Sequence, residues 1–315
     1  MAIGIAYLFI AFPKVESAST QVVEATTERI ARGEYLANHV TVCMDCHATH
    51  DWRFFSAPPV PGTEGMGGDL YGEEMGIPGS IYPGNLTPAG LGDWSDGEIM
   101  RAITSGVNKD GEALFPFMPY TEYRHLSEED LFSIISYLRS LSPIENVIPK
   151  RKLNFPMNLI VRTIPEPAQP NPQPDPTDTM AYGKYLATIS GCKFCHTPQE
   201  QGVPISGMEF AGGFEFPLPS GTVRSMNITP DRETGIGGWD EVTFINIFKS
   251  YNPDDVRQDT LRTDEYNTVM PWAMYSGMRQ EDLGAIYDFL RSVPAIENRV
   301  QRFIPHRLGN DKGDN

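Results

Sequence analysis

The chain has few of several things, and each shortage excludes something. Only four cysteines occur in 315 residues, at 43, 46, 192 and 195. All four sit in two copies of one five-residue word, so no cysteine is left for a structural disulfide. Basic residues are short, 25 Lys and Arg against 41 Asp and Glu, for a net charge of −16. That balance repels nucleic acid. It permits steering toward a basic partner, or is simply a solvated acidic surface. No apolar run is long. The longest at the start, Ala2–Phe12, has 11 residues; as a helix it would reach roughly 16 Å, against a hydrocarbon core of about 30 Å.

What is abundant is glycine (29) and proline (27), pointing to long ordered loops around cores of moderate size. The length suggests two domains. The cysteine words are "CMDCH" at 43–47 and "CKFCH" at 192–196. Cysteines two apart beside a histidine can bind zinc, or attach a c-type haem. In the second case two thiols add to the porphyrin vinyl groups, and the next residue must lie under the iron, where a histidine suits. Zinc sites usually place a histidine several residues away and need four ligands. A second copy in similar surroundings favours haem.

Those surroundings repeat. "GEYLA" at 33–37 matches "GKYLA" at 183–187, "NLTP" at 85–88 matches "NITP" at 227–230, and "GLGDW" at 90–94 matches "GIGGW" at 235–239. "MPYTEY" at 118–123 matches "MPWAMY" at 270–275, and "YLRSLSPIEN" at 137–146 matches "FLRSVPAIEN" at 289–298. The offsets are 150, 142, 145, 152 and 152, in unbroken order. Two haem modules are therefore expected, at 28–155 and 178–305. Between them lie an extended segment and a proline-rich linker, 156–177; six prolines fall within 165–176, which favours a semi-rigid polyproline II spacer. Residues 1–27 read as the end of an export signal or membrane anchor plus a stalk, and 306–315 as a tail. The alternative for the apolar run is a short N-terminal helix.

Each module reads as mostly helical, giving an all-α expectation: a short helix before each cysteine word and a stronger one after each Met-Pro. Ser127 is an N-cap candidate, followed by acids in the first turn. Leu131, Ile134, Ile135 and Leu138 repeat at helical spacing, as do Leu283, Ile286, Tyr287 and Leu290. Gly33 and Gly183 lie inside the first helices, at a cost of about 1 kcal/mol against alanine. A close crossing by the last helix would account for them, with Tyr137 and Phe289 as partners.

His47 and His196 are the expected proximal ligands, with Cys43, Cys46, Cys192 and Cys195 as attachment points. Met118 and Met270 are the expected sixth ligands. Both precede proline, both precede the last helix, and they follow their histidines by 71 and 74 residues. A thioether is soft and raises the potential; the alternative for either is packing. Met274 and Met278, and His39, His50, His125 and His306, lack counterparts in the other copy. Trp94 and Trp239 recur and suit packing on a haem edge. Asn85 and Asn227 suit a turn before "TP" or a haem contact.

With "GKYLA…GCKFCHT", "NITPDRETGIGGW" and "MPW…QEDLGAIYDFLRSV" in hand, the chain resembles the class I cytochrome c fold in duplicate. It is closest to the cytochrome c subunits of bacterial membrane-bound alcohol- and sugar-type dehydrogenases, over about residues 28–300. Those subunits commonly carry three haem modules; this chain has two. The resemblance implies two tandem cytochrome c-like domains holding two covalent haem c groups with His/Met ligation. It implies an electron carrier working with redox proteins: a dehydrogenase subunit, another cytochrome or a terminal oxidase. The expected location is the periplasmic side of the inner membrane, tethered through the N-terminus, or the periplasm. The enzyme alternatives are a dihaem peroxidase, which needs an iron site that can open, and a thiosulfate dehydrogenase, which would need a spare cysteine ligand. An obligate subunit of a larger complex would share the carrier's chemistry.

Overall fold

A computed structural model describes residues 8–262 and 264–306. Three helices carry each half's core: α1 (Thr27–Tyr35), α2 (Asp96–Ser105) and α3 (Glu128–Ser140) in the first, and α4 (Thr179–Ile189), α5 (Glu241–Lys249) and α6 (Gln280–Ser292) in the second. A short π-helical stretch, Leu36–Val40, continues α1 toward the first cysteine word. Caps set the starts. Thr26 accepts from Arg29 N (3.2 Å), Ser127 from Asp130 N (3.2 Å), and Ser95 forms a reciprocal capping box with Glu98.

In the first half α1 lies across α3, and in the second α4 lies across α6. The glycines explain how closely. A Cβ on Gly33 would stand 1.9 Å from the Ser133 carbonyl oxygen and 2.8 Å from Tyr137 Cβ; one on Gly183 would stand 1.8 Å from the Ala285 carbonyl oxygen. Tyr137 is thus at its crossing, whereas Phe289 meets Phe210 edge-on at 5.8 Å. Two bidentate forks fasten α1 to α3, Arg29 to Glu129 (2.7 and 2.9 Å) and Arg32 to Asp130 (2.9 and 3.0 Å).

The all-α expectation is corrected by three small antiparallel sheets. Strands β1 (Gly79–Ser80) and β2 (Lys152–Leu153) pair, as do β3 (Gln199–Glu200) and β4 (Val203–Pro204). Strands β5 (Glu215–Leu218), β6 (Gly221–Arg224) and β7 (Phe303–Pro305) form a sheet in that order. The loops between helices run extended, and their backbone N–H and C=O groups need partners that no helix supplies. Two of the sheets are the same feature repeated. Gly79 pairs with Leu153 and Gly221 with Pro305, so each segment after a last helix returns to the loop of its own half.

The two halves share one buried apolar cluster. At their seam the bonds are reciprocal. Tyr35 OH donates to Asp282 (2.5 Å) and accepts from Arg279 N (3.0 Å); Tyr185 OH donates to Asp130 (2.8 Å) and accepts from Ser127 N (3.1 Å). Residue i of one half meets j of the other and j meets i, the pattern of a two-fold interface. Residues 165–176 form no helix or strand and run mostly exposed. Among the described residues no helix is long and apolar enough to cross a membrane. Of the N-terminal apolar run, residues 2–7 lie outside the described ones; Phe9 rests under the Arg162 guanidinium at 4.5 Å. Residues 307–315 of the expected tail also lie outside.

Candidate functional site

The same local turn builds each cysteine word. Val42 and Gly191, immediately before the first cysteine, are left-handed (φ 46° and 69°). Cys43–Cys46 and Cys192–Cys195 then make one helical turn each, closed by His47 N to the Cys43 carbonyl (3.0 Å) and His196 N to the Cys192 carbonyl (2.9 Å). The turn puts both thiols and the histidine ring against one cavity.

His47 Nδ1 lies 2.6 Å from the Gly84 carbonyl oxygen, and His196 Nδ1 lies 2.8 Å from that of Met226. A carbonyl only accepts, so Nδ1 carries the proton and donates. The Nε2 lone pair is left free to ligate. Burial lowers both histidine pKa values, keeping the rings neutral.

Each cavity brings together one full set of the expected residues. The first is lined by Cys43, Cys46, His47 and Met118, with Trp94, Tyr123 and Arg151. The second is lined by Cys192, Cys195, His196 and Met270, with Trp239, Tyr275 and Arg302. Both are walled mainly by apolar side chains. Met118 and Met270 sit in matching turns, with Tyr120 N on the Met118 carbonyl (2.8 Å) and Trp272 N on that of Met270 (2.7 Å). Met278 also lines the second cavity; His39, His50, His125 and His306 line neither.

Asn85 and Asn227 hold turns. Each Oδ1 accepts from the backbone and hydroxyl of Thr87 or Thr229. Each Nδ2 donates to the segment after the last helix, at Ile144 or Ile296 (2.7 Å both). They fasten the loop beneath the histidine to that segment. Tyr123 OH bonds the Thr41 carbonyl, and Tyr275 OH the Ser190 carbonyl (2.7 Å), bracing the turn ahead of each cysteine word.

Burial raises all four thiol pKa values, those of Cys192 and Cys195 to about 12. Among the described residues no group of three or more His, Cys, Asp and Glu converges as a metal site.

One orphan tests the fit to a haem. Arg151 Nη1 is buried at the first cavity without a hydrogen-bond partner, and burial pulls the guanidinium pKa down. A buried guanidinium calls for an anion, and a tetrapyrrole bearing carboxylates would supply one. In the second cavity Arg302 reaches the Tyr266 hydroxyl (3.3 Å) and Arg224 is paired to Glu215 (2.6 Å). The arginines were not expected from sequence. The signal was the basic run "KRK" at 150–152 in an acidic chain.

No family model matches the chain. It is 28% identical over 306 residues to the fructose dehydrogenase cytochrome subunit of Gluconobacter japonicus, covering 91% of this chain and 58% of that one. It is 30% identical over 293 residues to the gluconate 2-dehydrogenase cytochrome c subunit of Pantoea cypripedii, covering 86% and 61%. A protein of Cereibacter sphaeroides described as a dihaem c-type cytochrome is 26% identical over 265 residues, covering 81% and 83%. The chain thus spans about three-fifths of the length of the dehydrogenase subunits it matches.

Proposed function

We propose that this chain, similar over most of its length to cytochrome c subunits of dehydrogenases and to a dihaem cytochrome c, is an electron carrier with two covalently held haem c groups. The observation that carries the reading is the pair of cavities, each collecting two thiols, a neutral histidine and a methionine. Cys43 and Cys46 would hold one haem and Cys192 and Cys195 the other. His47 with Met118, and His196 with Met270, would supply the axial ligands. When bound, such a group supplies one-electron chemistry between ferric and ferrous iron.

The protein's own part is physical. The Gly84 and Met226 carbonyls fix the histidine tautomer and aim Nε2. A thioether as sixth ligand favours the ferrous state and raises the potential. The apolar walls exclude water, and Arg151 would neutralise a carboxylate of the group beside it. With both axial places filled by side chains, neither site is open to a substrate, which fits a carrier rather than a catalyst. Residues 28–155 and 178–305 form one haem module each, with 156–177 linking them. Partners are redox proteins: a dehydrogenase subunit as donor, and another cytochrome or a terminal oxidase as acceptor. The place of work is the periplasmic side of the inner membrane, tethered through the N-terminal apolar run, or the periplasm.

Mass spectrometry of the denatured native protein tests this reading. The mass should exceed that of the polypeptide by two haems. A polypeptide with no covalent addition would overturn the proposal.

A further inference from the structure

The two methionine turns are alike in sequence but not in support. A loop of the first half, residues 51–57, reaches over the second half and ends on the Met270 turn. Ser56 Oγ donates to the Met270 carbonyl (2.5 Å) and accepts from Trp272 N (3.1 Å). Ser56 N donates to Asn267 Oδ1 (2.8 Å), and Asn267 Nδ2 returns to the Phe54 carbonyl (3.2 Å). Ser56 and Asn267 are both buried.

The loop is held there by further contacts with the second half. Leu261 N donates to the Arg53 carbonyl (2.7 Å), and Phe55 stacks on Tyr251 at 5.5 Å. Tyr251 in turn lies 4.7 Å from Trp272. Ser56 and Ala57 are both left-handed (φ 64° and 43°), a conformation that side chains with a Cβ adopt only when their surroundings enforce it. The strain falls on the residue whose hydroxyl spans the Met270–Trp272 turn. Among the described residues no side chain bonds the Met118 carbonyl, so the first site has no such clamp.

We propose that Ser56 is a positioning residue for Met270: the first half sets how firmly the second site holds its sixth ligand. The inference rests on Met270 being that ligand. The clamp fixes the carbonyl of Met270 and the next free N–H beyond Pro271, so it restrains the backbone from which the thioether projects. Without the hydroxyl, Trp272 N and the Met270 carbonyl keep only their own bond, and the turn can swing the sulfur away from the cavity. The second haem alone would then take up outside ligands more readily and lose potential. The two sites, nearly identical in their ligand words, are thereby made unequal.

The test uses the full-length holoprotein with Ser56→Ala, Ser56→Gly, Met270→Ala and the Ser56→Gly/Met270→Ala pair. Glycine adopts positive φ without penalty, so Ser56→Gly removes the hydroxyl while relieving the strain and should fold. Cyanide binding and the potential of each haem are read. Both Ser56 variants should keep two haems and speed cyanide binding at one haem by about tenfold, the factor equivalent to 1.4 kcal/mol. The same haem should drop in potential, and the other should be unchanged. In the pair, Ser56→Gly should add nothing to Met270→Ala, because the clamp acts only through that methionine. Wild-type cyanide binding and potentials in Ser56→Gly would overturn the inference, as would equal changes at both haems. If Met270→Ala itself alters neither property, the ligand assignment is at fault, and the clamp falls with it.

Discussion

Arg151 stands at the first cavity with a buried, unpartnered Nη1, and among the described residues it is the one arginine or lysine in that cavity's lining. Arg151→Gln should lower the potential of the first haem and leave the second unchanged in a redox titration of the holoprotein, because removing a positive charge disfavours the added electron. His50 offers a pH test. Burial pulls its pKa down, but the Asp45 and Asp69 carboxylates, at 3.7 and 2.9 Å from its ring nitrogens, outweigh that and raise it to about 9. A raised histidine stabilises the fold in full below its unfolded value of about 6.5. That contribution is lost as pH rises through about 9. Urea titrations should show the decline across this window, and His50→Gln should flatten it. At this scale the cysteine words, the histidines and the Met-Pro pairs were legible because the duplication printed each of them twice. Ser56 was not: it has no counterpart, and its role depends on a loop from one half meeting a turn from the other, 214 positions away.

The helices follow from local patterns, and the sequence shows most of them. Ser127 caps α3, the acids after it fill the first turn, and apolar residues recur at helical spacing. The sheets were illegible for a physical reason. Their strands are two to four residues long, too short for the alternation that marks a strand. Their pairing is decided by which extended loops lie side by side. The helix crossings are the more consequential feature. Adding a methyl at Gly33 or Gly183 would drive it into a carbonyl oxygen at 1.9 or 1.8 Å, so the paired helices must separate. Gly33→Ala and Gly183→Ala should each destabilise by about 1–3 kcal/mol or more, as overpacking does. Thermal melts followed by far-ultraviolet circular dichroism would measure this; an unchanged midpoint would show that the crossing relaxes freely.

Across the whole molecule, two halves built on one plan meet through two copies of the same bond. Tyr35 with Asp282 and Tyr185 with Asp130 recur at offsets of 150 and 152, inside the words "GEYLA/GKYLA" and "EEDL/QEDL". The signal was therefore printed in the repeat, but which half each partner would reach cannot be seen in a linear chain. Tyr35→Phe and Tyr185→Phe each leave a buried aspartate with one donor fewer. Each should cost about 1–3 kcal/mol, measured by denaturant unfolding. Because the seam is buried and the proline segment is exposed, cleavage within 165–176 should leave the halves associated in gel filtration until denaturant separates them. Fragments that part at once in buffer would show the seam to be weak.

The central claim is that two haems, each held by a histidine and a methionine, carry electrons without binding substrate. The ferric holoprotein should show the weak long-wavelength charge-transfer band of sulfur bonded to iron. Met118→Ala and Met270→Ala should each remove about half of it while lowering the potential of one haem, as loss of a thioether ligand requires. The wild type should turn over peroxide negligibly. A wild-type protein that lacks the band, holds a five-coordinate or bis-histidine haem and reduces peroxide rapidly would contradict the account.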